Sequence, residues 1–307
     1  MKLIVQPDAG VVPVVQAIRK SKKTLDVCIF RFDVAEIERA MGAAVQRGVR
    51  VRALIAHTNR GGENHLRKLE QRLLAAGVAV SRTADDLLRY HAKYMIADDT
   101  LHLFGFNFTK LDILKSRSFS VATRDSKTVR DATDLFEADV SRQPYKAGKS
   151  HLVVSPDTSR EKLTEFIKGA KKELAIYDVK VQDPLIVKLL KERGAKGVRI
   201  RILGAIKKGD DTTQARPLKP IRLHVRCVIR DGTRAFVGSQ SLRKEELDSR
   251  REVGVLITNP SVTKKIMAVF EQDWTDSAPK DAKNDELAVE SKDDKKSDKP
   301  ADDEKAS

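Results

Sequence analysis

Cysteine is nearly absent from this chain of 307 residues. Cys28 and Cys227 are the only two, both inside apolar strand-like runs, which excludes a disulfide framework and reads as two small buried thiols. Aromatic residues make up 5% and do not interleave with basic ones, which speaks against stacking on single-stranded nucleic acid. No apolar run approaches the length of a membrane span. The opening Met1-Lys2-Leu3-Ile4-Val5-Gln6-Pro7-Asp8 is too short in apolar residues for a signal peptide. A cytoplasmic protein, at most peripheral to the inner membrane, is the expectation. No Cys/His cluster has zinc-like spacing, so no metal site is expected.

Charge is abundant and uneven. Charged residues reach 34% against 40% hydrophobic ones, with a net +15. From Asp276 onward seven Lys stand against eleven Asp and Glu, which leaves +19 on residues 1–275. A body that basic favours polyanions, either nucleic acid or an anionic membrane surface, with general solubility as the plain alternative. Residues 276–307, poor in apolar side chains, read as a disordered charged tail.

Before that tail, strand and helix patterns alternate in the rhythm of an α/β sheet. Leu3–Asp8 reads as a strand, Val11, Val14, Val15 and Ile18 share a helical face, and Thr24–Phe30 is a second strand. A helix carrying Ile37, Met41 and Ala44 ends near Gly48, and Val49–Ile55 enters the sheet. The pattern restarts after a linker at Pro144–Lys149, which divides the chain into residues 1–146 and 147–275. Leu152–Asp157 echoes residues 3–8, and Gly197-Val198-Arg199 echoes Gly48-Val49-Arg50, each 149 residues on. The second half is 16 residues shorter between these strands and the motif below, and is expected to lack the leucine-striped helix at 66–74.

The chain is organised around Tyr90-His91-Ala92-Lys93-Tyr94-Met95-Ile96-Ala97-Asp98, followed by Gly105-Phe106-Asn107. In one continuous strand, His91 and Lys93 share a face, and Asp98-Asp99-Thr100 forms a hairpin turn. An imidazole that can attack or protonate, beside an ammonium that holds charge on oxygen, suits a phosphoryl group. A second copy follows in Leu223-His224-Val225-Arg226-Cys227-Val228-Ile229-Arg230-Asp231 and Gly238-Ser239-Gln240. His91 and His224, Asp98 and Asp231, Gly105 and Gly238, and Asn107 and Gln240 all lie 133 residues apart.

These residues resemble the phospholipase D superfamily, whose members carry two His-x-Lys-x-x-x-x-Asp motifs. The resemblance covers nearly the whole chain apart from its tail. It implies an α/β fold of two similar halves, packed with pseudo-twofold symmetry around one active site, in a monomer. It also implies a two-step phosphodiester reaction through a phosphohistidine, without metal or other cofactor. The expected substrate is a phospholipid, hydrolysed or transferred to an alcohol as in cardiolipin synthases. A metal-independent endonuclease acting on DNA and a catalytically weakened polyanion-binding module are the alternatives.

By the same resemblance His91 is the nucleophile and His224 the proton donor and acceptor. Lys93, Arg226, Asn107 and Gln240 are expected to bind the nonbridging phosphate oxygens, and Asp98 and Asp231 to orient imidazoles or cations. Glu252, in Arg251-Glu252-Val253-Gly254-Val255, matches an orienting acid, and its first-half counterpart is Ser118. Three positions depart from the family pattern: Arg226 stands for lysine, Gln240 for asparagine and Ser118 for an acid. His57, His65, His102 and His151 have no partnered pattern and read as ordinary histidines.

Overall fold

In the computed structural model, residues 1–59 and 62–279 are described. The first half runs β1 (Lys2–Gln6), α1 (Val12–Lys20), β2 (Thr24–Ile29), α2 (Ala35–Gln46), β3 (Arg50–Ile55), α3 (Glu63–Ala75) and β4 (Ala79–Arg82). It continues through β5 (Arg89–Tyr90), β6 (Tyr94–Ala97), β7 (Thr100–Phe104), α4 (Lys110–Leu114), β8 (Ser116–Thr123) and α5 (Ser126–Ser141). The second half runs β9 (Leu152–Ser155), α6 (Ser159–Lys168), β10 (Glu173–Val181), α7 (Pro184–Ala195), β11 (Arg199–Ile206) and β12 (Thr213–Arg216). It closes with β13 (Arg222–Leu223), β14 (Arg226–Arg230), β15 (Arg234–Gly238), α8 (Lys244–Asp248), β16 (Arg250–Ile257) and α9 (Pro260–Asp276). Helix α9 thus carries order to Asp276, and the expected tail lies outside the described residues from 280 on.

Two mixed sheets have the same strand order, β4-β3-β2-β6-β7-β8-β1 and β12-β11-β10-β14-β15-β16-β9. Each adds one two-residue strand from the other half: β13 pairs with β8 and β5 pairs with β16. The halves are therefore interleaved. The length difference falls where expected, because no helix stands between β11 and β12 where α3 stands between β3 and β4.

The local causes repeat as well. Gly48 and Gly197 follow α2 and α7 at φ +84° and +82°, a left-handed turn that glycine adopts without penalty and that aims the chain into β3 and β11. Helices α1 and α2 bury Val14, Val15, Ile18, Ile37 and Met41 against one sheet, and α6 and α7 bury Leu163, Phe166, Ile186 and Leu190 against the other. Between the sheets a single central cluster joins Tyr94, Phe119 and Phe136 of the first half to Tyr177, Cys227, Phe270 and Trp274 of the second. The halves thus share one continuous apolar core.

Candidate active site

Each motif changes sheets in its middle, which corrects the expectation of one continuous strand. Arg89 and Tyr90 pair with Arg250 and Arg251 of the other half, and the His91 amide donates to the Arg251 carbonyl at 2.8 Å. The chain then leaves that sheet and joins its own at Tyr94. In the same way Arg222 and Leu223 pair with Ser116 and Arg117, the His224 amide donates to the Arg117 carbonyl at 3.2 Å, and the chain joins its own sheet at Arg226. Both histidines consequently sit at the seam.

His91 is held on both nitrogens. Its Nδ1 lies 2.9 Å from each carboxylate oxygen of Glu252, and its Nε2 lies 3.0 Å from Lys93 Nζ, which also donates to the His91 carbonyl at 2.6 Å. Phe30 meets the ring edge-on at 4.7 Å. Burial, helped by the Lys93 charge, pushes the His91 pKa well below its ordinary value. Burial also raises Glu252 and lowers Lys93 to about 8. Burial favours the neutral imidazole, and in the tautomer whose Nδ1–H donates to Glu252 the lone pair lies on Nε2.

His224 is held differently. The position equivalent to Glu252 is Ser118, and both Ser118 Oγ and His224 Nδ1 are buried without a hydrogen-bond partner. The nearby carboxylate is instead Asp112, whose Oδ2 stands 3.5 Å from His224 Nε2. Asp112 is fixed by the Asn107 amide at 3.1 Å, the Asn107 Nδ2 at 2.7 Å and Arg222 Nη1 at 2.8 Å. Burial pushes its carboxyl up, but His224, Asn107 and Arg222 together outweigh burial and hold it below its ordinary value. His224 is lowered to about 3 by burial, against which Asp112 acts and with which Arg226, Lys93 and Arg222 act.

The two cations repeat one contact and differ in the rest. Arg226 Nη1 donates to the His224 carbonyl at 2.8 Å, as Lys93 does to that of His91. Its Nε donates to Ser241 Oγ at 2.7 Å, and that hydroxyl donates to Asp178 Oδ1 at 2.9 Å. Asp178 stands where the first half has Ile29, so the larger cation comes with its own buried carboxylate. Lys93 and Arg226 each act on both imidazoles, which makes the site one electrostatic unit.

Three expected residues lie elsewhere. Asp98 and Asp231 stand at the hairpin turns, at the far ends of β6 and β14 from the histidines. Asp98 accepts from the amides of Lys22, Lys23 and Thr24 at 2.9, 2.8 and 3.0 Å, and Asp231 likewise caps Lys171, Lys172 and Glu173. They pin the turn after α1 and α6 and orient no imidazole. Gln240 is buried, its Nε2 donating to the Val153 carbonyl at 3.0 Å and to Ser159 Oγ at 3.1 Å, away from the seam.

The misplacement of Gln240 has a one-residue cause. The first hairpin loop holds two residues between Ala97 and Thr100, the second three between Arg230 and Arg234. Beyond it equivalent positions lie 134 apart. Gly105 N donates to the Phe119 carbonyl at 2.8 Å and Ser239 N to that of Val253 at 3.0 Å; Asn107 N meets Asp112, and Ser241 N meets Glu246 at 2.6 Å. The partner of Asn107 is thus Ser241. Phe136 and Phe270, also 134 apart, carried that signal in the sequence. Asp112, Glu246 and Asp178 have no motif to betray them.

A family model described as cardiolipin synthase, phospholipase D-like domain, matches residues 14–140 and 163–274. No curated protein matches the chain. Among solved structures, polyphosphate kinase from Porphyromonas gingivalis is similar at a TM-score of 0.75 and 19% identity over 89% of this chain, which spans 50% of that protein. Phosphatidylserine synthase from Haemophilus influenzae Rd KW20 is similar at a TM-score of 0.63 and 11% identity, over 89% of this chain and 85% of that one. At these identities the likeness is one of fold.

Proposed function

The chain belongs to the cardiolipin synthase, phospholipase D-like domain family, and on that premise we propose that it is a phosphodiesterase of the phospholipase D type. It hydrolyses or transfers the phosphatidyl group of phospholipids through a phosphohistidine on His91. The observation that carries this reading is the unlike bonding of the two imidazoles: His91 is clamped through Nδ1 to Glu252, and His224 is not clamped there.

A clamped neutral imidazole presents a lone pair in one fixed direction, which suits in-line attack on phosphorus. Lys93 releases Nε2 and turns to a nonbridging oxygen, which Arg226 and Asn107 also face. His224 Nε2–H protonates the leaving alcohol. Burial first and the surrounding cations second disfavour the His224 imidazolium, and the incoming phosphodiester anion offsets those cations, so His224 takes up its proton as the substrate binds. Glu252 then balances the charge of the phosphohistidine. In the second step His224 takes a proton from water or an acceptor alcohol, which attacks phosphorus and frees His91.

The test uses a p-nitrophenyl phosphodiester, whose leaving group needs no acid, with an alkaline denaturing quench that preserves the P–N bond and mass analysis of the peptides in excess chelator. His224→Ala accumulates an adduct on the His91 peptide, and His91→Ala forms none; an adduct elsewhere overturns the assignment. A second reading, cleavage of DNA, is favoured by the +19 charge of residues 1–275. DNA products that vanish in His91→Ala, with phospholipid left intact by the wild type, put that reading first. Binding without turnover of either identifies a polyanion-binding module.

A further inference from the structure

Eight large hydrophobic side chains are exposed among the described residues, and four of them lie within three residues of His91, Asp112 or Asp178 of this site. Leu88, 65% exposed, precedes β5 and its amide bonds the Ser249 carbonyl at 3.0 Å, three residues before His91. Leu111 and Leu114, 48% and 52% exposed, project from α4 on either side of the buried Asp112. Val179, 39% exposed, follows Asp178 and stands where the first half has the buried Phe30. Each is next in sequence to a cation, as Leu88-Arg89, Lys110-Leu111, Leu114-Lys115 and Val179-Lys180.

We propose that this rim docks the site onto an anionic lipid bilayer, with Leu88, Leu111, Leu114 and Val179 entering the acyl boundary and the neighbouring cations meeting the headgroups. The proposal rests on the phospholipid reading above and adds to it the surface through which the substrate is reached. Nucleic acid offers phosphates but no aliphatic layer, whereas a charged bilayer offers both at the depth separating a leucine tip from a lysine head. The leucine pair belongs to one half. Helix α8, the counterpart of α4, has Glu245 and Asp248 where α4 has Leu111 and Leu114. Helix α4 thus makes the main apolar contact, while Leu88 and Val179 enter from the α8 side.

The full chain is mixed with phosphatidylglycerol or phosphatidylcholine vesicles and floated, and turnover is measured on those vesicles and on a short-chain phospholipid below its micelle concentration. The wild type floats with phosphatidylglycerol and less so in salt. L111E/L114E loses at least about tenfold in flotation and vesicle turnover while keeping short-chain turnover within about twofold. Lys110→Glu and Lys115→Glu each cost about fivefold in flotation. Leu74→Glu, on the exposed face of α3, changes nothing and controls for added charge. If L111E/L114E floats and turns over vesicles like the wild type, the rim proposal falls and the phospholipid reading stands. If the wild type leaves both lipid forms intact, the phospholipid reading falls, and flotation alone then decides the rim.

Discussion

Strands β2 and β6 of the first half oppose Cys28 to Tyr94, and strands β10 and β14 of the second oppose Tyr177 to Cys227, the same pair with its residues exchanged. The exchange decides how a nearby aspartate fares. Tyr177 Oη donates to Asp273 Oδ2 at 2.6 Å, but the Tyr94 hydroxyl is buried without a partner, and so is Oδ2 of the equivalent Asp139. Around this difference the frame is the same: Arg117 of β8 bonds Asp273 at 2.8 Å, and Arg251 of β16 bonds Asp139 at 3.1 Å. These crossed ion pairs tie each closing helix to the opposite half, one residue before Ser118 and Glu252. What repeats holds the backbone, and what differs sits against the chemistry: Glu252 against Ser118, Asp178 against Ile29, Val179 against Phe30.

The sharpest way to break that comparison is at the imidazoles. His91→Ala should lower turnover of phospholipid by more than about 10⁴-fold and His224→Ala by about 10²–10⁴-fold, with the latter loss largely restored on the p-nitrophenyl substrate. Equal restoration in both variants would mean that the halves share one role. Next come their partners. Glu252→Gln is expected to cost about 10²-fold in kcat, while Ser118→Ala changes it less than twofold. Ser118→Glu faces Nδ1 of His224 with a carboxylate, favours the imidazolium and moves the alkaline limb of the kcat/KM profile, which the proton donor sets, to higher pH.

A smaller effect is read in stability. Burial raises Asp139 from 3.8 to about 6, so the group's contribution is whole below pH 4 and is lost as pH rises through 6. The loss amounts to at most about 3 kcal/mol. Denaturant titrations of Asp139→Asn should show less change between pH 4 and pH 8 than the wild type, whereas Asp273→Asn should leave that change in place. The smallest expected effect is at the hairpin turns. Asp98→Ala and Asp231→Ala each leave amides uncapped and should cost about 1–3 kcal/mol of stability, with kcat of the folded fraction within about twofold. A loss of kcat matching that of His91→Ala would return these carboxylates to the chemistry.

The duplication was legible because spacing survives where backbone geometry is strict. The pairs His91 with His224, Lys93 with Arg226, and Gly48 with Gly197 all stand on strands or turns that tolerate no insertion. The same strictness misled at Asp98 and Asp231, where a constant spacing reflects a turn that must be capped. The constant spacing aligns Asn107 with Gln240 and misses Ser241, because a hairpin loop absorbs one residue without disturbing either strand. Asp112 gives no signal in the sequence because it lies on a five-residue helix with no periodicity, and its approach to His224 joins residues more than a hundred positions apart. The loss of each strand pairing at His91 and His224 escaped for a like reason, since a two-residue strand leaves no alternation to read.

That trade of β5 for β13 also fixes how the site behaves on dilution. Each half seats the other's histidine, so the chain has the geometry of a symmetric dimer whose subunits were joined by residues 142–151. A dimer of such halves would come apart as its concentration fell and would lose both imidazole positions at once. Joined in one chain, each half meets the other at a fixed effective concentration, and specific activity should stay constant down to the lowest protein level that can be assayed.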